Sequence, residues 1–200
     1  MSMTAAKKLQ PVSVEDYLSG ELASPEKHEY LGGIVYAMAG ASNVHNLIAT
    51  NITIAIGSRL RGKRCRPFNS DTKIRVRLST HLRFYYPDCS VICRPNPQDD
   101  SFQDDPAVIF EVISQSTRRI DTGEKKDAYL TIPSLSAYVL VEQETAAAVV
   151  YRRTDEGFVA ELYEGMDADI PLPEIDAELP LAEVFSGVEF TPEATPEDLR

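Results

Sequence analysis

Residues 107–113 are apolar at every position but one, and the exception, Glu111, is a carboxylate. A half-exposed strand would alternate polar and apolar residues, so a run like this is a strand covered on both faces. Residues 137–141 repeat the pattern, with Tyr138 as the one polar tip. Two covered strands need layers above and below them. The chain therefore reads as an α/β fold with a mixed β-sheet flanked by helices.

The segments around these strands fill in the order. Ser13 with Asp16 three residues later marks a helix start. Ser24 followed by Pro25 predicts a second short helix, which would carry Glu29. Gly32 and Gly33 form a turn, and residues 34–38 read as a strand. Ser42 or Asn43 caps a long helix whose Val44, Leu47, Ile48, Ile52, Ala55, Ile56 and Leu60 recur at helical spacing, with Gly62 ending it. Strands are expected at 73–78, 84–93 and 107–113, a helix at 124–131 and a strand at 137–141. The core order is αβββαβ, and additional C-terminal strands follow at 147–152 and 158–163. One domain spans 1–190, and 191–200 reads as a disordered tail.

Charge is distributed unevenly. The net charge is −11, yet residues 59–83 hold nine bases against one acid, Asp71. Residues 155–200 hold fourteen acids and one base, Arg200. Strand alternation puts Lys73, Arg75 and Arg77 on one polar face, which suggests a basic surface on an acidic body, with Arg75 and Arg77 as substrate contacts. Cys65, Cys89 and Cys93 lack the partners of a zinc site and read as small buried hydrophobes in a reducing compartment. No apolar run is long enough to span a membrane, and no apolar stretch follows Lys7 and Lys8 as a secretory signal requires, so a cytoplasmic setting is expected.

The acids carry the chemistry. Glu111 lies in a buried strand, where a carboxylate needs a cation or good hydrogen bonds. Asp88 follows Pro87, where a strand's hydrogen bonding breaks. Neighbouring strands are ~4.8 Å apart, so the two acids can share one ion, with Glu29 closing the site. Oxygen-only ligands suit Mg²⁺ or Mn²⁺.

Pro87-Asp88, followed after a loop by Glu111-Val112-Ile113, resembles the half-motif of the PD-(D/E)xK nuclease superfamily. Further segments resemble, more narrowly, the bacterial family of restriction-endonuclease-like proteins long known as a domain of unknown function. They are His28-Glu29-Tyr30, Ala37-Met38-Ala39-Gly40 with His45, Ser70-Asp71, Tyr86-Pro87-Asp88, Glu111-Val112-Ile113-Ser114, Gly123-Glu124-Lys125 and Ile132-Pro133-Ser134. Together they cover roughly residues 12–185. The superfamily's strand lysine would stand at 113, where this chain has Ile113, and the narrower family's lysine position corresponds to Lys125. The resemblance implies a restriction-endonuclease-like core and metal-dependent hydrolysis of DNA. In that reading Asp88, Glu111, the Val112 carbonyl and Glu29 hold the metal, Lys125 assists and His45 contacts substrate. A homodimer would suit double-strand cleavage. The competing reading is a nuclease-fold module that binds nucleic acid or a protein partner without cutting. A paired-carboxylate glycosidase is a distant third, because Trp is absent.

Overall fold

The computed structural model describes residues 10–190, so the expected tail at 191–200 lies outside the described residues. The chain runs α1 (Val14–Ala23), β1 (His28–Leu31), β2 (Ile34–Ala37), α2 (Asn43–Arg59), β3 (Arg66–Asn69), β4 (Lys73–Arg77), β5 (Leu82–Tyr85) and β6 (Cys89–Ile92). It continues through β7 (Phe102–Gln103), β8 (Pro106–Ile113), α3 (Arg118–Asp121), α4 (Glu124–Tyr129), β9 (Ala137–Glu142), β10 (Ala147–Thr154) and β11 (Gly157–Glu164). A hairpin of β12 (Asp169–Leu172) and β13 (Ala177–Pro180) and the short α5 (Leu181–Val184) complete it.

Two sheets organise the molecule. The main sheet has the order β11-β10-β9-β8-β6-β3, and the second has β2-β1-β5-β4-β7. β8 pairs with β9 in parallel and with β6 antiparallel. The helices α3 and α4 make the crossover that the parallel pair needs. Both covered strands read from the sequence are central in the main sheet.

α2 packs on one face of this sheet. Its Ile48, Ile52 and Ile56 are fully buried at a spacing of four and meet Val108, Phe110 and Val112 of β8. Ile170, Leu179, Leu181 and Phe185 join the same core, so the acidic C-terminal segment supplies much of its floor. On the other face Ile109 and Ile113 meet Tyr129, Ile132, Leu135 and Tyr138, together with Ile74, Val76 and Tyr85 from the second sheet. A third cluster, Tyr17, Tyr30 and Phe84, lies under α1.

Ser13 caps α1 as expected, its hydroxyl accepting from the Asp16 amide at 3.0 Å. Several other expectations are corrected. Residues 24–30 form no second helix. The Ser24 hydroxyl accepts from the Glu26 amide at 3.2 Å in a local turn, and the chain then enters β1. β1 pairs with β2 across Gly32 and Gly33, whose φ angles of 59° and 104° suit glycine. Hairpin pairing outweighs the local helix-start signal. The run 84–93 is two strands rather than one. Pro87 has no amide hydrogen to donate, and the chain crosses there from the second sheet (β5) to the main sheet (β6). β3, β7 and α3 are short and carry no periodic signal.

The cysteines also differ from expectation. Cys65 and Cys93 are joined by a disulfide, leaving Cys89 as a buried thiol. The pairing of Arg66 with Ile92 brings the two cysteines side by side at one end of the β3–β6 ladder. Among the described residues, no helix is long and apolar enough to cross a membrane.

Candidate active site

β8 and β6 set the first two carboxylates. The pairing of Cys89 with Phe110 carries Asp88, one residue before β6, to the end of the ladder beside Glu111. One oxygen of Asp88, Oδ2, accepts from the Val112 amide at 2.7 Å. The other, Oδ1, is 2.9 Å from Nε2 of His45. His45 reaches it from the first turn of α2, where its own amide donates to the Ser42 cap. Burial alone would lower the His45 pKa, but the hydrogen bond and charge of Asp88 outweigh it and raise it.

Lys125 stands at the centre. Its ammonium is 2.8 Å from Glu111 Oε1, 3.3 Å from Glu29 Oε1 and 3.8 Å from Asp121 Oδ1. All four side chains are buried or nearly so, with exposures of 7% for Lys125, 5% for Glu111, 7% for Asp121 and 16% for Glu29. Lys125 and Tyr129 lie one turn apart on α4, so both face β8, and the Tyr129 hydroxyl donates to Glu111 at 3.4 Å. Gly123 makes this placement possible, since a Cβ there would lie 2.7 Å from the Arg119 carbonyl oxygen. α4 can therefore start directly against α3.

The electrostatics follow from burial. Desolvation lifts the Glu111 carboxyl well above the usual carboxylate range. The charges of Asp88 and Asp121 add to this, and Lys125 opposes it. Asp121 is raised for the same first reason. Burial would lower Lys125, yet the charges of Glu111, Glu29 and Asp121 outweigh it and hold the ammonium well above its ordinary value. Four carboxylates thus face one lysine and one histidine, an excess of negative charge that a divalent cation would relieve. Among the described residues, no three acidic, imidazole or thiol groups converge as ready ligands, and Glu111 and Asp88 are instead paired with Lys125 and His45. The donor chemistry still fits a hard cation, with carboxylate oxygens and the Val112 carbonyl on adjoining strands.

The structure thus gathers Asp88, Glu111, Val112, Lys125, Glu29 and His45. Glu29 does so from a strand, not from the expected helix. Arg75 and Arg77 are placed elsewhere. Ile74 and Val76 face the site side of the second sheet, so by alternation Arg75 and Arg77 face away from it. There Arg75 forms a two-pronged pair with Asp104 at 2.6 Å and stacks 4.2 Å from the Phe102 ring centroid. Arg77 is 3.5 Å from the same Asp104. The third base of that face, Lys73, is buried and donates to the Tyr86 hydroxyl at 3.1 Å.

Of the six other bases in the run, three pair with acids, while Arg61, Arg64 and Arg66 are exposed and pair with none among the described residues. Arg59 pairs with Glu183 at 2.7 Å, Lys63 with Asp176 at 2.7 Å and Arg83 with Glu124 at 2.8 Å. Two of these acids belong to the C-terminal acidic segment. The opposite charge runs therefore meet at Arg59 and Lys63. Asp121 is the site residue that sequence reasoning missed. Its one signal is an acid four residues before Lys125, the spacing of neighbours on a helix face.

The family described as "Putative restriction endonuclease" (Uma2) matches residues 14–191 of this chain. This protein belongs to that family. Two Synechocystis relatives are similar along most of their length. "Uncharacterized protein slr1290" is 35% identical over 147 residues, covering 73% of this chain and 76% of that protein. "Uncharacterized protein sll1609" is 30% identical over 146 residues, covering 72% and 80%. Among solved structures, "a putative nuclease belonging to DUF820" from Anabaena variabilis superposes with a TM-score of 0.66 at 20% identity, covering 85% of this chain and 97% of that one. At that identity the likeness concerns the fold, which is the mixed α/β, restriction-endonuclease-like architecture read from the sequence.

Proposed function

We propose that this member of the Uma2 family is a Mg²⁺- or Mn²⁺-dependent nuclease that hydrolyses phosphodiester bonds, with DNA as substrate. The observation that carries this reading is Lys125. A helix delivers its ammonium to 2.8 Å from the Glu111 carboxylate, beside the strand position where the superfamily lysine is replaced by Ile113. A solvated surface lysine would not be buried among three acids.

Asp88, Glu111 and the Val112 carbonyl would hold the ion, and Glu29 would support it from β1. A bound divalent cation supplies charge neutralisation at the phosphate and a lowered pKa for water. The Val112 amide and His45 each hold one oxygen of Asp88, which fixes the orientation of its carboxylate at the end of the β6–β8 ladder. Lys125 would donate hydrogen bonds to a non-bridging phosphate oxygen or to the attacking water. The walls of tyrosine and isoleucine around Glu111 exclude bulk solvent and strengthen these contacts. Cutting both strands of a duplex calls for two sites, which a homodimer would supply, and its mass in light scattering checks that point.

The test is plasmid cleavage in Mg²⁺, Mn²⁺ and EDTA, with Asp88→Ala beside the wild type. Cleavage that needs the metal and disappears with Asp88→Ala is expected, and equal cleavage by both proteins would sink the assignment. A second reading, a binding module without catalysis, is favoured by the carboxylates already satisfied by Lys125 and His45. Nucleic-acid binding that persists in Asp88→Ala, with no cleavage by either protein, would select it.

A further inference from the structure

β2 is the outermost strand of the second sheet, and it exposes an apolar row. Ile34, Tyr36 and Met38 are 52%, 51% and 36% exposed. They sit at alternate positions and so share one sheet face. Val35, between them, points the other way into the cluster beneath α1. Pairing fixes which face the row occupies, because Glu29 is the direct cross-strand partner of Tyr36. Directly opposed residues have Cβ atoms ~5 Å apart on the same side of the sheet. Glu29 reaches inward to Lys125, so Tyr36 stands beside the Glu29 arm of the carboxylate cluster.

Among the described residues the Tyr36 ring stacks on no other aromatic ring, and its hydroxyl has no protein hydrogen-bond partner. The other tyrosines around the site differ: Tyr85, Tyr129 and Tyr138 are buried, and their rings pack edge-on or tilted against one another in a chain. Lys27 lies two residues before Glu29 on the same face, opposite Met38, whose amide donates to the Lys27 carbonyl at 2.9 Å. Its ammonium turns away to Asp71 and the Ser70 carbonyl, so the row itself carries no charge.

The extent of the row bears on its occupant. Three half-exposed side chains in single file offer on the order of 300 Å², against the ~800 Å² per partner of a standard protein interface. That is too little for a stable second protein copy, but it suits a planar group the size of a base. A phosphate attacked beside Glu29 and Glu111 has a neighbouring nucleotide whose base falls within reach of the adjacent side chain. A base paired inside a duplex cannot lay its face on a ring, whereas an unpaired base can.

Resting on the nuclease reading, we infer that Tyr36, flanked by Ile34 and Met38, is a stacking platform for an unpaired nucleobase next to the scissile phosphate. The substrate strand is then single-stranded or locally opened at the site. Tyr36 becomes a residue that selects strand state, while the carboxylates and Lys125 act on the phosphate.

The chain has no tryptophan, so Tyr36→Trp introduces a single indole reporter at the platform. The full-length protein is titrated in EDTA with single-stranded oligo-dT, with the same oligonucleotide annealed to oligo-dA, and with oligo-rU. Quenching of the indole by a single strand, DNA or RNA, and not by the duplex is expected. Tyr36→Ala should weaken single-strand binding about tenfold and Tyr36→Phe should retain it, in line with stacking on an aromatic face. Because the side chain is half exposed, melting temperatures of the variants should match the wild type, which excludes misfolding as the cause.

Undiminished binding by Tyr36→Ala overturns the platform. If that variant also cleaves plasmid normally, the nuclease reading still stands. A wild type that neither binds nor cleaves any of these strands overturns both. A change in oligomeric mass with Tyr36→Ala, and none in oligonucleotide binding, would make the row a contact between copies and reject a base as its occupant.

Discussion

The two faces of β8 differ by one residue of register and are built for different purposes. Val108, Phe110 and Val112 enter a core made of hydrocarbon, packed against α2 and the C-terminal hairpin. Ile109, Glu111 and Ile113 enter a core that also holds Lys125, Asp121 and three tyrosines in ring-to-ring contact. Strand alternation alone separates them. The apolar face gains stability from burial and dispersion. The other face spends part of that stability to hold charges away from water, where electrostatic interactions are stronger. One strand therefore both anchors the fold and presents its chemistry.

The largest expected effect is on the apolar face. Phe110→Ala removes a fully buried ring and should cost about 3–5 kcal/mol in denaturant unfolding. A cost below about 1 kcal/mol would show that this face is not the main source of stability.

Glu111→Gln, one residue on, should behave in the opposite way. Cleavage should fall at least about a hundredfold, near 2.7 kcal/mol of activation free energy. Stability without metal should move by less than about 1 kcal/mol. Lys125 keeps Glu29 and Asp121 as partners, and burial already disfavours the charged form of Glu111. A loss as large as that of Phe110→Ala, with cleavage unchanged, would make both faces structural.

Gly123→Ala tests whether the polar face depends on the position of α4. The added Cβ meets backbone, so α4 has to shift and carry Lys125 with it. A destabilisation of about 1–2 kcal/mol with a clear loss of cleavage is expected. Normal activity with the same loss of stability would free Lys125 from any positional demand.

The smallest effect is a pH slope. Asp121 and Glu111 have raised folded pKa values, so above their ordinary values of 3.8 and 4.5 the folded protein holds protons that the unfolded chain has lost. Stability then declines as pH rises through that window. His45 acts with the same sign above 6.5, because its folded pKa is also raised. In EDTA the melting temperature should drop by about 2–4 °C between pH 5 and 8, and Mg²⁺ should flatten the slope. A melting temperature that rises over this range would contradict the charge excess.

The sequence showed the acids more clearly than their supports. Glu111 was visible because one carboxylate interrupted a covered strand, and Asp88 because Pro87 stood before it. Lys125 was visible through family resemblance alone, since nothing local separates it from Lys126. Glu29 was found on the wrong element, because Ser24 and Pro25 give a helix-start signal that hairpin pairing outweighs. Asp121 lay on a four-residue helix with no periodicity to betray it. The basic run was visible as composition, but its pairing with Glu183, Asp176 and Asp104 was not. Those contacts join residues 29 to 124 positions apart and depend on tertiary packing.

The Cys65–Cys93 bond closes the chain into a covalent ring across a separation of 28 residues. Its circuit takes in β3, the excursion through β4 and β5 into the second sheet, and the return to Asp88 and β6. Glu29 and Lys125 lie outside it. In the unfolded chain the ring keeps the strands of both sheets within reach of one another, which in the chain-entropy picture favours folding by about 3–4 kcal/mol. It also changes what a backbone cut can do. The turn at Ser79 and Thr80 is exposed and lies inside the ring, so a protease nick there leaves one covalent molecule. The strand bearing Arg75 and the strand bearing Asp88 would separate only after a reductant opened the ring.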